Sequence, residues 1–416
     1  MQKEWAMDLA CYFCCWQRPS NKEFMSRHHS HINTAITIMS KYEGPSAFAP
    51  VLKAFFKEFK KYGSQDRRQI GNLCYCYFRA VRVLNEDLSL EEKIILAYFL
   101  CTPGESPLIK ELKPDWAAFA GFTIQEKFAQ FGLDINQLFP KIESIEAAID
   151  KQEFAYSHFV QPDLFLRLRP KRGEIAKKKL TEANIPFKHI TVDCLALPNT
   201  SRVEEVLMIN KEVVIQDYAS QRVGKMLEKV QAMLPTTAEK IKVWDCCAAS
   251  GGKAILAVDK LGRIELTLSD IRQSILENLK VRMQEAQIIN YKSLKLDLTN
   301  PKKMESIGDF DLIIADVPCT GSGTWSRNPE RLLHFNKKEI GRYVKMQKEI
   351  TSGIQSKLKP GGYLLYITCS VYQQENSEII NDLVATSDLS LIESQVILGA
   401  EYQSDTMFAA LLKKEV

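Results

Sequence analysis

Asp245-Cys246-Cys247-Ala248-Ala249-Ser250-Gly251-Gly252-Lys253 is the stretch whose reading decides the fold. A short apolar run, 241–244, precedes it and a helix-forming run, 253–260, follows it, the pattern of a buried strand, a Gly-rich turn and a helix. Two clusters downstream repeat the arrangement. Asp316-Val317-Pro318-Cys319-Thr320-Gly321-Ser322-Gly323 follows the apolar run 311–315, and Thr368-Cys369-Ser370 follows 363–367. Ligands of open α/β sheets bind at the carboxyl ends of the strands. The three clusters are therefore expected to form one site that contains two thiols.

Around this stretch, strand-like runs at 241–244, 264–268, 293–296, 311–315 and 363–367 alternate with helical runs at 253–260, 272–286, 338–357 and 375–385. Such alternation predicts a doubly wound, mostly parallel, Rossmann-like sheet, with 407–412 as a final edge strand. Upstream, from about 31 to 150, the period is helical. Phe48, Val51, Leu52, Phe55, Phe56 and Phe59 mark one apolar face, and Ile70, Leu73, Cys74, Tyr77 and Phe78 another. Ser89-Leu90-Glu91-Glu92 is a capping box that opens a helix through Leu100. The aromatic stripes, with Cys74, Cys76 and Cys101, read as core.

Between these regions, 152–162 reads as a linker. Leu164, Leu166 and Leu168 then alternate with Phe165, Arg167 and Arg169, a strand with two arginines on one face. From 167 to 188 there are eight Lys/Arg, opposed only by Glu174 and Glu182. A solvated helix face is one reading; a phosphate-tracking surface that includes Lys177, Lys178 and Lys179 is the other, and Phe165 beside the arginines favours it. The chain is thus expected to be multidomain: an all-α N-terminal bundle (1–150), a small α+β basic, RNA-binding domain (151–218) and a C-terminal α/β domain (219–416).

Bulk composition sets limits. The 416 residues are 45% hydrophobic and 25% charged, and 55 Lys+Arg against 51 Asp+Glu give a net charge of +4. That charge is too small to identify a polyanion partner by itself, so any basic patch must be local. The eleven cysteines form no regular disulfide framework, which fits a reducing, cytoplasmic setting. No apolar run is long enough to span a membrane, and 5–16 lacks a signal-peptide cleavage pattern. Cys11-x-x-Cys14 with His28 and His31 only superficially resembles a zinc site, because the histidines are too close together. No metal is expected, and 1–24 reads as a poorly ordered tail. Regular pattern begins only after Met25, which makes Met25 a candidate start.

The chemistry lies in the three clusters. Ser250-Gly251-Gly252 lets the backbone approach a ligand at a helix N-terminus. Asp270, 19 residues after Gly251, suits a ribose hydroxyl pair. These features fit either a dinucleotide or S-adenosylmethionine, and the Gly-x-Gly-x-x-Gly fingerprint is missing. Asp297 can accept from an adenine amino group or cap a turn. The thiols choose between cofactors. Cytosine is unreactive at C5 until a nucleophile adds to C6, and a thiolate activated by nearby positive charge, here Lys253, can do this beside a methyl donor.

The chain resembles the Sun (Fmu, RsmB-like) family of RNA cytosine-5 methyltransferases. The resemblance rests on Asp245 to Lys253, Asp316 to Gly323, Thr368-Cys369-Ser370 with Glu375-Asn376, Gln216-Asp217-Tyr218-Ala219-Ser220, and Asp405-Thr406-Met407-Phe408-Ala409-Ala410. It implies Cys369 as nucleophile and Cys319 as the group that assists breakdown of the covalent intermediate. It also implies Cys247, Ala248, Ala249, Ser250, Gly251, Gly252, Lys253, Asp270 and Asp297 as binders of S-adenosylmethionine. Asp316 would lie by the methyl donor and the base, Lys253 would orient the base, and Arg327 and Pro329 match a loop near the RNA. Ser250 stands where the family has Pro, and Ala254 where it usually has Thr. Ser64-Gln65-Asp66-Arg67-Arg68 and Arg79 are similar to a NusB-like RNA-binding domain, which points to small-subunit ribosomal RNA rather than transfer RNA, and a monomer is expected. A catalytically weak RNA-binding assembly factor and a DNA cytosine-5 methyltransferase, with the Pro-Cys thiol as nucleophile, are the competing functions. Retention of both cysteines argues against the first, and the Thr-Cys-Ser cysteine with the basic domain argues against the second.

Overall fold

The computed structural model describes residues 26–44, 46–234, 239–305 and 307–416. Cys11, Cys14 and the expected tail lie outside these residues. His28 and His31 instead bond to Glu111 (2.6 Å) and Asp66 (2.9 Å).

Helices Arg27–Ser40, Phe48–Glu58, Ser64–Ala80 and Leu90–Cys101 form the expected bundle. The capping box closes as read: Glu92 accepts from the Ser89 N–H at 2.9 Å, and Ser89 Oγ accepts from the Glu92 N–H at 3.3 Å. The expected linker at 152–162 is half helix, Lys151–Ser157. Phe154, Ala155 and Phe159 are buried in the bundle core, and two turns are too short to show a period in sequence. That core does not end with the bundle. Trp325, Leu332, Ile340, Val371 and Tyr372, all from the C-terminal domain, are buried in it. Trp325 stacks on Phe139 at 5.4 Å, and Tyr372 donates to the Pro140 carbonyl at 2.7 Å. The bundle therefore packs directly behind the segments that follow the two Cys clusters.

The middle region is an antiparallel sheet of strands β1 (Leu164–Leu168), β2 (Lys188–Thr191), β3 (Cys194–Leu197) and β4 (Val213–Ile215), in the order β2-β3-β1-β4. Helix Gly173–Glu182 covers it through Ala176 and Leu180.

The C-terminal domain carries β5 (Ile241–Asp245), β6 (Ile264–Asp270), β7 (Tyr291–Lys295), β8 (Phe310–Asp316), β9 (Leu358–Thr368), β10 (Leu389–Ile397) and β11 (Met407–Lys414). Their order is β10-β11-β9-β8-β5-β6-β7. Strands β5 to β9 pair in parallel, and β11 runs antiparallel to both β9 and β10. The run expected at the edge, 407–412, is interior: β10 pairs outside it. The burial pattern of β11 carries this in retrospect, since Met407 to Leu412 are all buried whereas an edge strand with one wet face alternates. Strand β10, with half-exposed Glu393 and exposed Ser394, gives too weak an alternation to be seen in sequence.

Candidate active site

The sheet order reverses at β5, whose neighbours β6 and β8 continue in opposite directions. Ligands bind at such switch points. The Gly-rich turn leaves β5 there. Ala249 and Gly251 are both left-handed, with φ of 43° and 84°, and an added Cβ on Gly251 would strike Leu279. The backbone angle favours glycine at 251, and a side chain there would also require Leu279 to shift. Helix Gly252–Leu261 starts immediately, so its first N–H groups face the turn.

Ser250 loses the preset turn that Pro supplies, but Arg282 replaces the restraint. Its Nη1 donates to the Ser250 carbonyl (3.1 Å) and to Ser250 Oγ (2.8 Å), while its Nε donates to Asn210 (2.9 Å). Ala254, where the family usually has Thr, is fully buried and presents nothing to a ligand.

Asp270 ends β6. Burial would raise its pKa, yet hydrogen bonds from Arg272 (2.9 and 3.0 Å) lower it overall. A ribose at Asp270 would have to share it with the Arg272 side chain, which is 59% exposed. Asp297 follows β7 and spends Oδ1 on a local turn, accepting from the Thr299 N–H and hydroxyl. Asp245, at the end of β5, is fully buried with neither carboxylate oxygen hydrogen-bonded. Burial, with the negative charge of Asp316, pushes its pKa to about 7 despite nearby Lys253. A buried carboxylate without partners is costly, and its place under the Gly-rich turn suits a cationic or hydrogen-bond-donating ligand.

Lys253 joins two of the three strand ends. Its ammonium donates to Asp316 Oδ2 (3.1 Å), at the end of β8, and to Ser220 Oγ (2.6 Å). Cys319 and Cys369 join the next two, with their sulfurs 3.3 Å apart. The hydrogen bond to Cys369, with burial, drives the Cys319 pKa well upward.

Both thiol loops are fastened by Glu375, a buried carboxylate that sequence reasoning left without a role. It accepts from the Thr320 N–H (2.9 Å), the Thr320 hydroxyl (2.6 Å), the Ser370 hydroxyl (2.5 Å) and Gln347 (3.1 Å). Burial raises its pKa and those donors restrain the rise. Gly323 completes the fastening: its N–H donates to the Cys369 carbonyl at 2.9 Å, and any side chain there would collide with the Thr406 carbonyl.

The basic residues require corrections. Arg167 is 2% exposed and pairs with Asp259 (2.5 Å) and Gln216 (2.8 Å). Arg169 also takes Asp259, and donates to the carbonyls of Asn210 and Ala286. Neither is placed to track phosphates; they seat the small domain on helix Gly252–Leu261. Arg327 is likewise turned inward, to Asp217 (2.5 Å), Asp405 (3.0 Å) and the Asp163 carbonyl (3.1 Å). Lys177 and Lys179 pair with Glu174 and Glu212 at 2.7 Å, and only Lys178 is broadly exposed.

Residues 230–412 match the family model described as 16S rRNA methyltransferase RsmB/F. The match covers most of the C-terminal domain, which is similar to the RsmB/F methyltransferases. The likeness to the Sun family read from the motifs is thereby borne out. Ribosomal RNA small subunit methyltransferase B of Vibrio vulnificus is 29% identical over 214 residues, covering 49% of this chain and 47% of that protein. The enzyme of the same name from Salmonella arizonae is 31% identical over 215 residues, covering 49% and 47%. The chain spans about half the length of the curated relatives it matches. Among solved structures, PH0851 has a TM-score of 0.67 at 18% identity, over 93% of this chain and 98% of that one. NSun6 from Pyrococcus horikoshii with SFG has a TM-score of 0.55 at 13% identity, over 67% and 98%. These two likenesses establish the fold, the first across nearly the whole chain. Among the described residues, no helix is long and apolar enough to cross a membrane.

Proposed function

We propose that this chain transfers a methyl group from S-adenosylmethionine to C5 of a cytosine in RNA, through a covalent bond between Cys369 and C6. Small-subunit ribosomal RNA is the substrate class, in keeping with the names of the curated relatives. The observation that carries the reading is the pair of thiols 3.3 Å apart at adjoining strand ends, beside the Lys253–Asp316 pair.

The left-handed Gly-rich turn, the unpartnered Asp245 carboxylate and Asp270 fit S-adenosylmethionine, with Asp297 Oδ2 available to an adenine amino group. The cofactor supplies an electrophilic methyl carbon. Cys369 adds its sulfur to C6, which makes C5 an enamine-like carbon, and Lys253 with Asp316 holds the base in place. After methylation, water in the site takes the C5 proton as the sulfur–C6 bond breaks and its electron pair returns to the Cys369 sulfur. The Cys319 S–H, held 3.3 Å away, hydrogen-bonds to the departing sulfur. The target base has to be single-stranded or swung out of its stack to reach either thiol. Lys178, with the neighbouring Lys177 and Lys179, is the part of the basic helix left to contact RNA.

Incubating the chain with S-adenosylmethionine and protein-free small-subunit ribosomal RNA, followed by nucleoside mass spectrometry, should yield 5-methylcytidine. Methylation of a different nucleoside would refute the assignment. Calorimetry adds a cofactor test: S-adenosylmethionine should bind and nicotinamide dinucleotides should not, and Asp270→Ala should weaken that binding strongly. Arg282→Ala should weaken it by roughly five- to thirtyfold, since it removes one or two hydrogen bonds of about 1 kcal/mol each that restrain the turn. Unchanged affinity in Arg282→Ala would mean that the turn does not need the restraint.

A further inference from the structure

We propose that Ser220 is a positioning residue for the Lys253 ammonium, the last link of a hydrogen-bonded chain that begins at the buried Arg167. The inference rests on the reading of Lys253 and Asp316 as the pair that faces the target base. Asp259 neutralises Arg167 at 2.5 Å, and Arg167 Nε donates to Gln216 Oε1 at 2.8 Å. That bond fixes which way the Gln216 amide points, so its Nε2 donates to Ser220 Oγ at 3.1 Å. Lys253 donates to the same oxygen at 2.6 Å and to Asp316 at 3.1 Å.

A hydroxyl oxygen has two acceptor sites, and both of Ser220's are occupied, one by Gln216 and one by Lys253. A lysine ammonium on a four-carbon stem has many rotamers and gains direction only from its partners. Asp316 alone would hold it by a single contact on a side chain that is 30% exposed. Ser220 supplies a second, fixed contact, anchored in the interface between the small domain and the methyltransferase domain. Gln216 is further secured because its carbonyl accepts from Gln221 at 2.8 Å. The position of Lys253 is thereby tied to the seating of the small domain.

The test compares wild type, Ser220→Ala and Ser220→Thr in RNA methylation, and follows the lysine side-chain ammonium signals by NMR. The Lys253 signal is assigned by its loss in Lys253→Arg. Ser220→Ala should lower kcat roughly tenfold, with KM for S-adenosylmethionine changed less than twofold and thermal stability retained. Ser220→Thr, which keeps the hydroxyl, should recover most of kcat. The Lys253 ammonium signal should shift and broaden in Ser220→Ala alone. A kcat for Ser220→Ala within twofold of wild type, or an unchanged Lys253 signal, would overturn the inference. So would a Ser220→Thr variant as impaired as Ser220→Ala. The NMR result stands apart from activity: an ordered Lys253 signal that needs Ser220, in a chain that methylates no RNA, refutes the proposed function and leaves the chain of hydrogen bonds intact.

Discussion

Cys369→Ala is expected to abolish methylation of RNA, by roughly 10⁴-fold or more, because the sulfur that adds to C6 is removed. Cys319→Ala is expected to behave differently. Its Cys369 can still add to C6 and C5 can still take the methyl group, but the S–H beside the departing sulfur is gone. Enzyme should therefore accumulate as a covalent RNA adduct. On a denaturing gel with RNA and S-adenosylmethionine, Cys319→Ala should give a slow-migrating band and Cys369→Ala none. The reverse pattern would make Cys319 the nucleophile and move the chemistry toward the DNA-type order of roles.

Asp259→Ala should be the most damaging substitution away from the thiols. It leaves Arg167, 2% exposed, and Arg169, 12% exposed, without their carboxylate. Breaking a buried pair from one side costs about 3–5 kcal/mol because a charge is left uncompensated. A fall of roughly 10 °C in the unfolding midpoint is expected. Lys178→Ala, at a side chain 77% exposed whose nearest acid is 3.8 Å away, should change stability by less than about 0.5 kcal/mol. RNA binding should divide the same residues in the opposite way. Lys178→Gln should flatten the salt dependence, and Arg167→Gln should act through folding. A destabilised Lys178→Gln and an unaffected Asp259→Ala would contradict this division.

These two arginines show where the sequence stops being informative. Alternation around 164–169 correctly marked a strand, but it placed Arg167 and Arg169 on a surface. Their partner Asp259 lies about ninety residues later, and nothing local announces it. The same holds for Arg327, whose acids are Asp217 and Asp405. A local charge count sees only neighbours in the chain. Tertiary pairing decides whether an arginine is buried or wet.

The three strand-end clusters were legible because their signals are local: an apolar run, a turn that needs glycine, and a Cys at a fixed offset. Their convergence followed from the rule for parallel sheets, and the structure brings Lys253 to Asp316 and Cys319 to Cys369 accordingly. What holds them was not legible. Glu375 binds Thr320 and Ser370, Arg282 binds Ser250, and Ser220 binds Lys253. Each is a polar contact between distant segments, made by a residue type that is common on surfaces. The shared core at Trp325 and Tyr372 was hidden for a related reason, since an aromatic residue in a loop does not say which domain will cover it.

The central claim is that Cys369 bonds to C6 of a cytosine in RNA during methyl transfer. Its most direct test uses ribosomal RNA carrying 5-fluorocytidine, incubated with wild-type protein and S-adenosylmethionine. Fluorine at C5 cannot depart as a proton does, so the sulfur–C6 bond should persist. Nuclease and protease digestion followed by mass spectrometry should place the methylated fluorocytidine on the peptide containing Cys369. A nucleotide on the Cys319 peptide, or methylated RNA with no adduct on either cysteine, would contradict the account.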